Sequence, residues 1–358
     1  MSFIRKVADL LIKFFSLILP NILGLYNAER AMMIRQFATT LGNSKKSKNT
    51  NNYFISNIDI NNVACRFYKP KNIKNDCLII YIHGGGWCTF NARMYDHFIE
   101  NIIKNLNCYC ISIDYTLSPK KKFPYAIEEC WNVIEGIASK NNEILKDIST
   151  NNVIVMGDSA GGNMTAVITQ KASKHEKYKN FINGHVLIYP YLGSWDFNSE
   201  SFNNYNKYPL FSVLSPRLMA EFILIYLGET ANNENVKKIL ESDSITGNFD
   251  SNNNLKNVAQ NTEISPILAD ENILENLPKS LTIIANYDIL KDQGIIYYEK
   301  MKNSRKSFNS ENEINIENFH EIHIFESLTH GEINISKTAS KHVASLITNW
   351  LIKNNFAK

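Results

Sequence analysis

Short apolar runs alternate with segments of helical periodicity along most of the chain. An apolar run without polar alternation is typical of a strand buried on both faces, as in a parallel sheet covered by helices. Segments 94–106, 124–140 and 335–352 repeat their apolar residues at helical spacing. We therefore predict an α/β fold in which helices flank a mostly parallel sheet. The predicted strands are 65–68, 78–82, 109–113, 153–156, 186–189, 281–285 and 322–325.

Residues 192–263 interrupt this alternation. An aromatic-rich section, 205–211, is followed by a helix-like run, 217–227, and by a tail rich in asparagine. A connection this long between core strands is usually functional or disordered. We predict that its first half caps the carboxyl edge of the sheet and that 231–262 forms a flexible loop. A second polar insert is expected at 303–318.

The N-terminal region allows more than one interpretation. Residues 3–25 are apolar, but charged residues interrupt them and Pro20 breaks the pattern. Their uninterrupted apolar run, 14–19, is far shorter than the roughly 20 residues that cross a bilayer. The pattern favours an amphipathic helix packed over the domain. A helix lying at a membrane surface and a signal anchor are the alternatives.

Charge and cysteine usage exclude several classes of protein. The 358 residues include 38 basic and 35 acidic side chains, which gives a formal net charge of +3. So small an excess provides no basic surface for nucleic acid. The six cysteines form no C-x-x-C pair, and several lie within apolar runs. We therefore expect reduced, buried thiols and no metal site.

The most informative motif is Gly-Asp-Ser-Ala-Gly-Gly at 157–162. It follows the apolar run 153–156 directly and leads into a helical pattern. A strand that enters G-x-S-x-G and continues as a helix makes a sharp turn, which exposes the serine hydroxyl at the top of the sheet. We therefore predict that Ser159 is a nucleophile. The alternative is an ordinary glycine-rich turn.

A serine nucleophile needs a base to take its proton and an acid to orient that base. Asp288 and His330 each follow a late predicted strand, in the chain order serine, acid, histidine known from one class of hydrolases. Asp292 competes for the acid role, but an acidic residue in the first turn of a helix is usually structural. His320 and His323 lie in the strand itself and are expected to face solvent or neighbouring residues.

A second glycine-rich motif, His-Gly-Gly-Gly-Trp at 83–87, follows the strand 78–82 directly. Its glycines let the backbone approach a substrate and direct N–H groups at a developing oxyanion. The N–H of Ala160, the residue after the serine, is expected to be another donor. A phosphate-binding loop is the alternative, but the glycine patterns of such loops are missing from this sequence. His83 is expected to brace the loop rather than act as a base.

Together these motifs resemble the hormone-sensitive lipase family of α/β-hydrolases, especially its arylacetamide deacetylase-like carboxylesterases. Residues 83–87 are similar to the family's HGGG loop, and 157–162 match its GDSAGG motif. The resemblance runs from about residue 64 to 356, with Glu332 in place of an aromatic residue of the family's H-G-F motif. Further similar segments are 113–119, 123–124, 265–268, 277–278, 288–294 and 330–332.

The resemblance implies an α/β-hydrolase fold with a helical cap. The catalytic domain would span 53–358, and the cap would combine the N-terminal segment 1–52 with the insertion 192–263. It also implies that the N–H groups of Gly85, Gly86 and Ala160 form the oxyanion hole, and that Asp288 is the triad acid. His83, Gly84 and Asp158 would support these motifs.

These observations lead to the hypothesis of a serine carboxylesterase. Ser159 would attack the ester carbonyl, His330 would accept and return the proton, and Asp288 would fix the imidazole. This chemistry requires no cofactor and no metal. The aromatic residues of the insertion indicate small to medium acyl or aryl esters as the small-molecule substrates.

Other functions use the same machinery. A lipid esterase or lipase and an amide deacetylase or formamidase are the enzymatic alternatives, and a non-catalytic small-molecule receptor is the alternative from another class. We expect a cytoplasmic protein without a nucleic-acid partner. Family members can be membrane-anchored, so association with the endoplasmic reticulum through residues 3–25 is the alternative, and a homo-oligomer stays open.

Overall fold

The computed structural model describes residues 48–193, 197, 199–209, 212–241, 257–308 and 318–358. The predicted N-terminal helical segment lies outside these residues, except for its last five positions. Residues 3–25, for which membrane contact was considered, are therefore not described. Among the helices that are described, none is both long enough and apolar enough to span a membrane.

Within the described residues, nine strands form one sheet in the order β1-β2-β3-β5-β4-β6-β7-β8-β9. The pairs β1–β2, β2–β3 and β3–β5 are antiparallel, and all pairs from β5 through β4 to β9 are parallel. The predicted mostly parallel sheet is therefore confirmed. The strands are β1 (Lys48–Asn49), β2 (Tyr53–Ile60), β3 (Val63–Pro70), β4 (Cys77–Ile82), β5 (Tyr109–Ile113), β6 (Asn152–Asp158), β7 (Gly184–Ile188), β8 (Lys279–Tyr287) and β9 (His320–Thr329).

The central strands are buried on both faces, which explains their continuous apolar runs. Every residue of β4, β5 and β7 is buried. Successive side chains alternate between the faces, so Ile80 packs into one hydrophobic cluster while Ile79 and Tyr81 pack into the other. Helices cover both clusters. They are α1 (Asp96–Ile103), α2 (Tyr125–Ser139), α3 (Glu143–Lys146), α4 (Ala160–Lys174), α5 (Glu200–Asn203), α6 (Pro216–Leu227), α7 (Asn233–Leu240), α8 (Glu271–Leu274), α9 (Lys291–Phe308) and α10 (Lys337–Lys353).

The insertion between β7 and β8 contains more helix than its sequence suggests. Helix α6 matches the predicted run, with the Ser215 hydroxyl accepting from the Leu218 N–H at its start. The prediction of a flexible loop over 231–262 is wrong at α7, where Asn232 caps the helix and Val236 and Ile239 are buried. Their i, i+3 spacing is a helical signal that the surrounding polar residues obscure. Helix α9 likewise extends into the expected polar insert.

Two buried histidines lie on either side of Ser280 where the parallel strands begin. His185 of β7 is in register with Ser280 of β8, which is in register with His320 of β9. The Ser280 hydroxyl lies 2.7 Å from Nδ1 of His320. Burial lowers the pKa of both His185 and His320 to about 3. Both imidazoles are therefore neutral in the folded protein.

We expect the two histidines to make folding sensitive to acid. The unfolded chain protonates a histidine near pH 6.5 while the folded chain does not, so stability is full above that pH and falls below it. Acidification from pH 7 to pH 5 should cost about 2 kcal/mol for each histidine. Urea unfolding at the two pH values measures this loss. His185→Leu and His320→Gln should each reduce it by about 2 kcal/mol, and substitution of the exposed His342 should leave it unchanged.

Candidate active site

The turn between β6 and α4 carries Ser159 in a strained conformation. Its φ of 54° and ψ of −120° lie in a region that residues other than glycine rarely adopt. A Cβ at Gly161 would overlap the carbonyl oxygen of Ile82 at the end of β4. The Ser159 N–H donates to the carbonyl of Ile188 at 2.9 Å, which ties the turn to the end of β7. The predicted strand, sharp turn and helix are all present.

The structure brings the three predicted side chains into one hydrogen-bonded chain. Oγ of Ser159 lies 2.9 Å from Nε2 of His330. Nδ1 of the same histidine lies 2.6 Å from Oδ2 of Asp288. The other carboxylate oxygen accepts from the Leu290 N–H at 2.9 Å and shapes the turn into α9. With its proton on Nδ1, facing the carboxylate, the imidazole presents an acceptor to the serine.

The competing residues have other contacts. Asp292 accepts a hydrogen bond from the Ser201 N–H at 2.7 Å, so it connects α9 to the start of the short cap helix α5. His320 contacts Ser280 inside the sheet, and His323 is exposed next to Phe325. The expectation that these two histidines face neighbours or solvent agrees with their positions.

The glycine-rich loop at 83–87 lies between the serine turn and the cap. Gly85 and Gly86 have φ values of +113° and +59°, which residues other than glycine rarely adopt. A Cβ at Gly86 would overlap the ring of Phe222 in α6. Ala160 is the first residue of α4, so its N–H has no acceptor within that helix.

His83 makes the contacts of a bracing residue. Its Nδ1 lies 2.8 Å from the carbonyl oxygen of Gly84, and its ring stacks on Tyr115 at 4.2 Å between centroids. The Tyr115 hydroxyl donates to the His83 carbonyl at 2.9 Å. Burial lowers the pKa of the His83 imidazole, which keeps the ring neutral.

Two tyrosines of the site were missed by the sequence analysis. Tyr81 of β4 and Tyr95, just before α1, both donate their hydroxyl to the carboxylate of Asp158, at 2.8 and 3.0 Å. A buried tyrosine hydroxyl normally needs a partner. The tyrosine within the apolar run of β4 therefore indicated a buried hydrogen-bond partner, but the sequence does not reveal which residue accepts.

Glu332, the departure from the family motif, folds back over the turn that carries the histidine. Its Oε2 accepts from the Thr329 N–H at 3.0 Å and from the Thr329 hydroxyl at 3.2 Å. The ring of Tyr189 lies 4.9 Å from that of His330 and supports it from the end of β7. An acidic side chain thus shapes the histidine turn at the position of the family's aromatic residue.

Aromatic side chains join the cap to the site. Tyr226 of α6 stacks on Trp87 of the glycine-rich loop, with 4.4 Å between ring centroids. Tyr208 packs against Tyr287 at the end of β8, immediately before Asp288. The aromatic residue at position 211 lies outside the described residues. Within the described ranges, no group of three or more His, Cys, Asp or Glu side chains could hold a metal ion.

Comparison with known proteins identifies the family that shares this architecture. The family model described as the alpha/beta hydrolase fold matches residues 79–323. Arylacetamide deacetylase of Rattus norvegicus is 28% identical over 288 residues, which cover 71% of this chain and 71% of that protein. Neutral cholesterol ester hydrolase 1 of Bos taurus is 26% identical over 286 residues, which cover 70% and 69%.

Solved esterase structures share the fold. The Pyrobaculum calidifontis esterase superposes with a TM-score of 0.65 at 24% identity, covering 90% of both chains. A Rhizomucor miehei esterase gives a TM-score of 0.66 at 21% identity, covering 92% of this chain and 93% of that one. The predicted α/β-hydrolase fold and the resemblance to the hormone-sensitive lipase family are confirmed. The chain belongs to the alpha/beta hydrolase fold family.

Proposed function

We propose that the protein is a serine esterase that hydrolyses small to medium acyl or aryl carboxylic esters through an acyl-enzyme. The observation that carries this proposal is the continuous chain of hydrogen bonds from Asp288 through His330 to Ser159. Such a chain supplies a nucleophile, a base and an orienting acid in contact with one another. The accessible position is the serine, because it is partly exposed while the other two side chains are buried.

The first half of the reaction forms the acyl-enzyme. Oγ of Ser159 attacks the ester carbonyl carbon while Nε2 of His330 takes the hydroxyl proton. The Asp288 carboxylate stabilises the imidazolium that results. The N–H groups of Gly85, Gly86 and Ala160 would stabilise the oxyanion of the tetrahedral intermediate.

The alcohol leaves as the acyl-enzyme forms, and the acid leaves when water hydrolyses it. As the tetrahedral intermediate collapses, the imidazolium of His330 passes its proton to the leaving alcohol. Water then attacks the acyl carbon after giving a proton to the same imidazole. The second tetrahedral intermediate breaks down to the carboxylic acid and free Ser159, which takes back its proton.

The cap supports a limit on substrate size. Helix α6 places the Phe222 ring directly against Gly86, beside the proposed oxyanion site. This aromatic wall favours short to medium acyl groups or an aryl group over a long extended chain. The named activities of the relatives, deacetylation of arylacetamides and hydrolysis of cholesterol esters, define the two alternative substrate classes.

A series of p-nitrophenyl esters from acetate to palmitate tests the proposal. We expect turnover to peak at a short or medium acyl chain, because the cap limits the space beside the oxyanion site. Ser159→Ala serves as the blank and should show no turnover above background. A peak at palmitate would favour a lipid esterase, and faster hydrolysis of an aryl acetamide would favour an amidase. Binding of these compounds without turnover would instead favour a receptor.

The placement of the enzyme in the cell rests on the sequence alone. We propose a cytoplasmic enzyme, with membrane-surface contact through residues 3–25 as the alternative. Co-sedimentation with liposomes, measured with and without residues 3–25, separates the two. Sedimentation velocity of the purified protein measures whether it forms a homo-oligomer.

A further inference from the structure

Asp158 connects the two halves of the proposed active site. It is the last residue of β6, immediately before Ser159, and its side chain is 2% exposed. Its Oδ1 accepts from the Gly84 N–H at 2.9 Å and from the Tyr81 hydroxyl at 2.8 Å. Its Oδ2 accepts from the Tyr95 hydroxyl at 3.0 Å. One carboxylate therefore holds the nucleophile turn, the glycine-rich loop, β4 and the segment before α1.

The contact with the glycine-rich loop is unusually close. A Cβ at Gly84 would lie 2.5 Å from Oδ2 of Asp158, so only glycine fits there without displacement. The Gly84 N–H also points to the Tyr95 hydroxyl at 3.2 Å, so a second member of the cluster reaches the loop. The loop's first glycine is thereby fixed directly before Gly85 and Gly86.

We propose that Asp158 is a positioning residue that holds the loop at 83–87 against the nucleophile turn and so sets the oxyanion donors. The proposal deepens the proposed esterase function and rests on it. Electrostatic donors act in catalysis only if they are already in place when the charge develops. An anchor one residue from the nucleophile fixes their distance to the reacting carbonyl.

Burying the charged Asp158 carboxylate costs free energy of folding, and this cost supports a role beyond folding. Burial raises the pKa of Asp158 to about 6, although the hydrogen bonds from Tyr81, Tyr95 and Gly84 oppose the increase, as does His330 when its imidazole is protonated. Tyr115 and Tyr189 are the other titratable groups that face it, and burial raises the pKa of every tyrosine in this cluster. Asp158, unlike the tyrosines around it, therefore ionises between acid and neutral pH.

The ionised carboxylate destabilises the fold. The folded pKa of about 6 lies above the ordinary aspartate value of 3.8, so the folded state binds more protons between these values. The contribution of this group to the free energy of unfolding is greatest below the unfolded pKa of 3.8, and it is lost as the pH rises through the folded pKa of about 6. An asparagine, which keeps an acceptor oxygen for Gly84 but carries no charge, should therefore be relatively more stable at pH 8 than at pH 4.5.

Three variants of Asp158 and its neighbours test the proposal. Asp158→Leu keeps the branched shape of the side chain but removes every acceptor, and we expect kcat for p-nitrophenyl acetate to fall about 30-fold or more with KM changed less than about threefold. Asp158→Asn should recover kcat to within about fivefold of wild type, and its melting-temperature difference from wild type should be larger at pH 8 than at pH 4.5. Labelling of Ser159 by a fluorophosphonate gives the folded, reactive fraction for each variant.

A matched tyrosine pair keeps the test decisive if Asp158→Leu does not fold. Tyr95→Phe removes a hydroxyl that contacts both the carboxylate and Gly84, whereas Tyr81→Phe removes one that contacts the carboxylate without reaching the loop. Loss of kcat should therefore be several-fold for Tyr95→Phe and less than about twofold for Tyr81→Phe.

Two results would overturn the inference, and they are distinguishable. If Asp158→Leu or Tyr95→Phe lowers only the folded fraction and leaves kcat per labelled serine unchanged, Asp158 serves folding alone. If wild type neither hydrolyses esters nor reacts with the fluorophosphonate, the proposed function fails and this inference fails with it.

Discussion

Asp288→Asn is expected to lower kcat for ester hydrolysis by about 10⁴-fold, which is the loss seen when the triad acid of a serine protease becomes an amide. Asp288 lies 2.6 Å from Nδ1 of His330 and is 2% exposed. An asparagine there can present its NH₂ group to Nδ1 and so favour the tautomer that carries its proton on Nε2. That tautomer cannot accept the proton of Ser159. KM should change little, because the acid does not contact the substrate.

Asp292→Asn is the matched control for this prediction. Asp292 is four residues further on and accepts from the Ser201 N–H, an interaction that an asparagine oxygen can keep. Its kcat should therefore stay within about threefold of wild type. Steady-state kinetics of the two variants on one p-nitrophenyl ester decide the assignment. A large loss for Asp292→Asn with a small loss for Asp288→Asn would transfer the acid role to Asp292.

The proposed triad could be predicted because each member is marked locally and placed globally by one rule. Ser159, Asp288 and His330 each follow a predicted strand, and the carboxyl ends of parallel strands meet at one edge of the sheet. Asp288 and His330 lie 129 and 171 positions after Ser159 in the chain. Once the sheet was predicted to be parallel, the chain order was therefore enough to bring the three together.

What the sequence did not reveal depends on contacts between distant segments. Strand β2 was missed because it is antiparallel and half exposed, with polar residues alternating among its buried ones. The roles of Tyr81 and Tyr95 follow from a shared partner, Asp158, that lies more than 60 positions away from each. The cap contact of Asp292 requires the folded insertion, whose sequence periodicity is weak.

Gly86 is a glycine of the proposed oxyanion hole whose replacement should be costly, because a Cβ there would meet the cap. Its φ of +59° costs an alanine about 1 to 2 kcal/mol. The more serious obstacle is Phe222, because a Cβ at Gly86 would overlap the ring from Cγ to both Cδ atoms. The ring belongs to buried α6, which cannot move away freely. The loop backbone must move instead, and the donor N–H of Gly86 moves with it.

Gly86→Ala should therefore lower kcat/KM by about 100-fold or more, the usual effect of losing one oxyanion donor. Phe222→Ala in the same chain removes the overlapping ring and should recover about tenfold of that loss, leaving the cost of the left-handed conformation. Phe222→Ala alone measures what the loss of the cap contact does by itself. The three variants and wild type form a double-mutant cycle on one short ester. If the two substitutions simply multiply, the overlap with Phe222 is not the cause, and the effect of Gly86 comes from its backbone conformation alone.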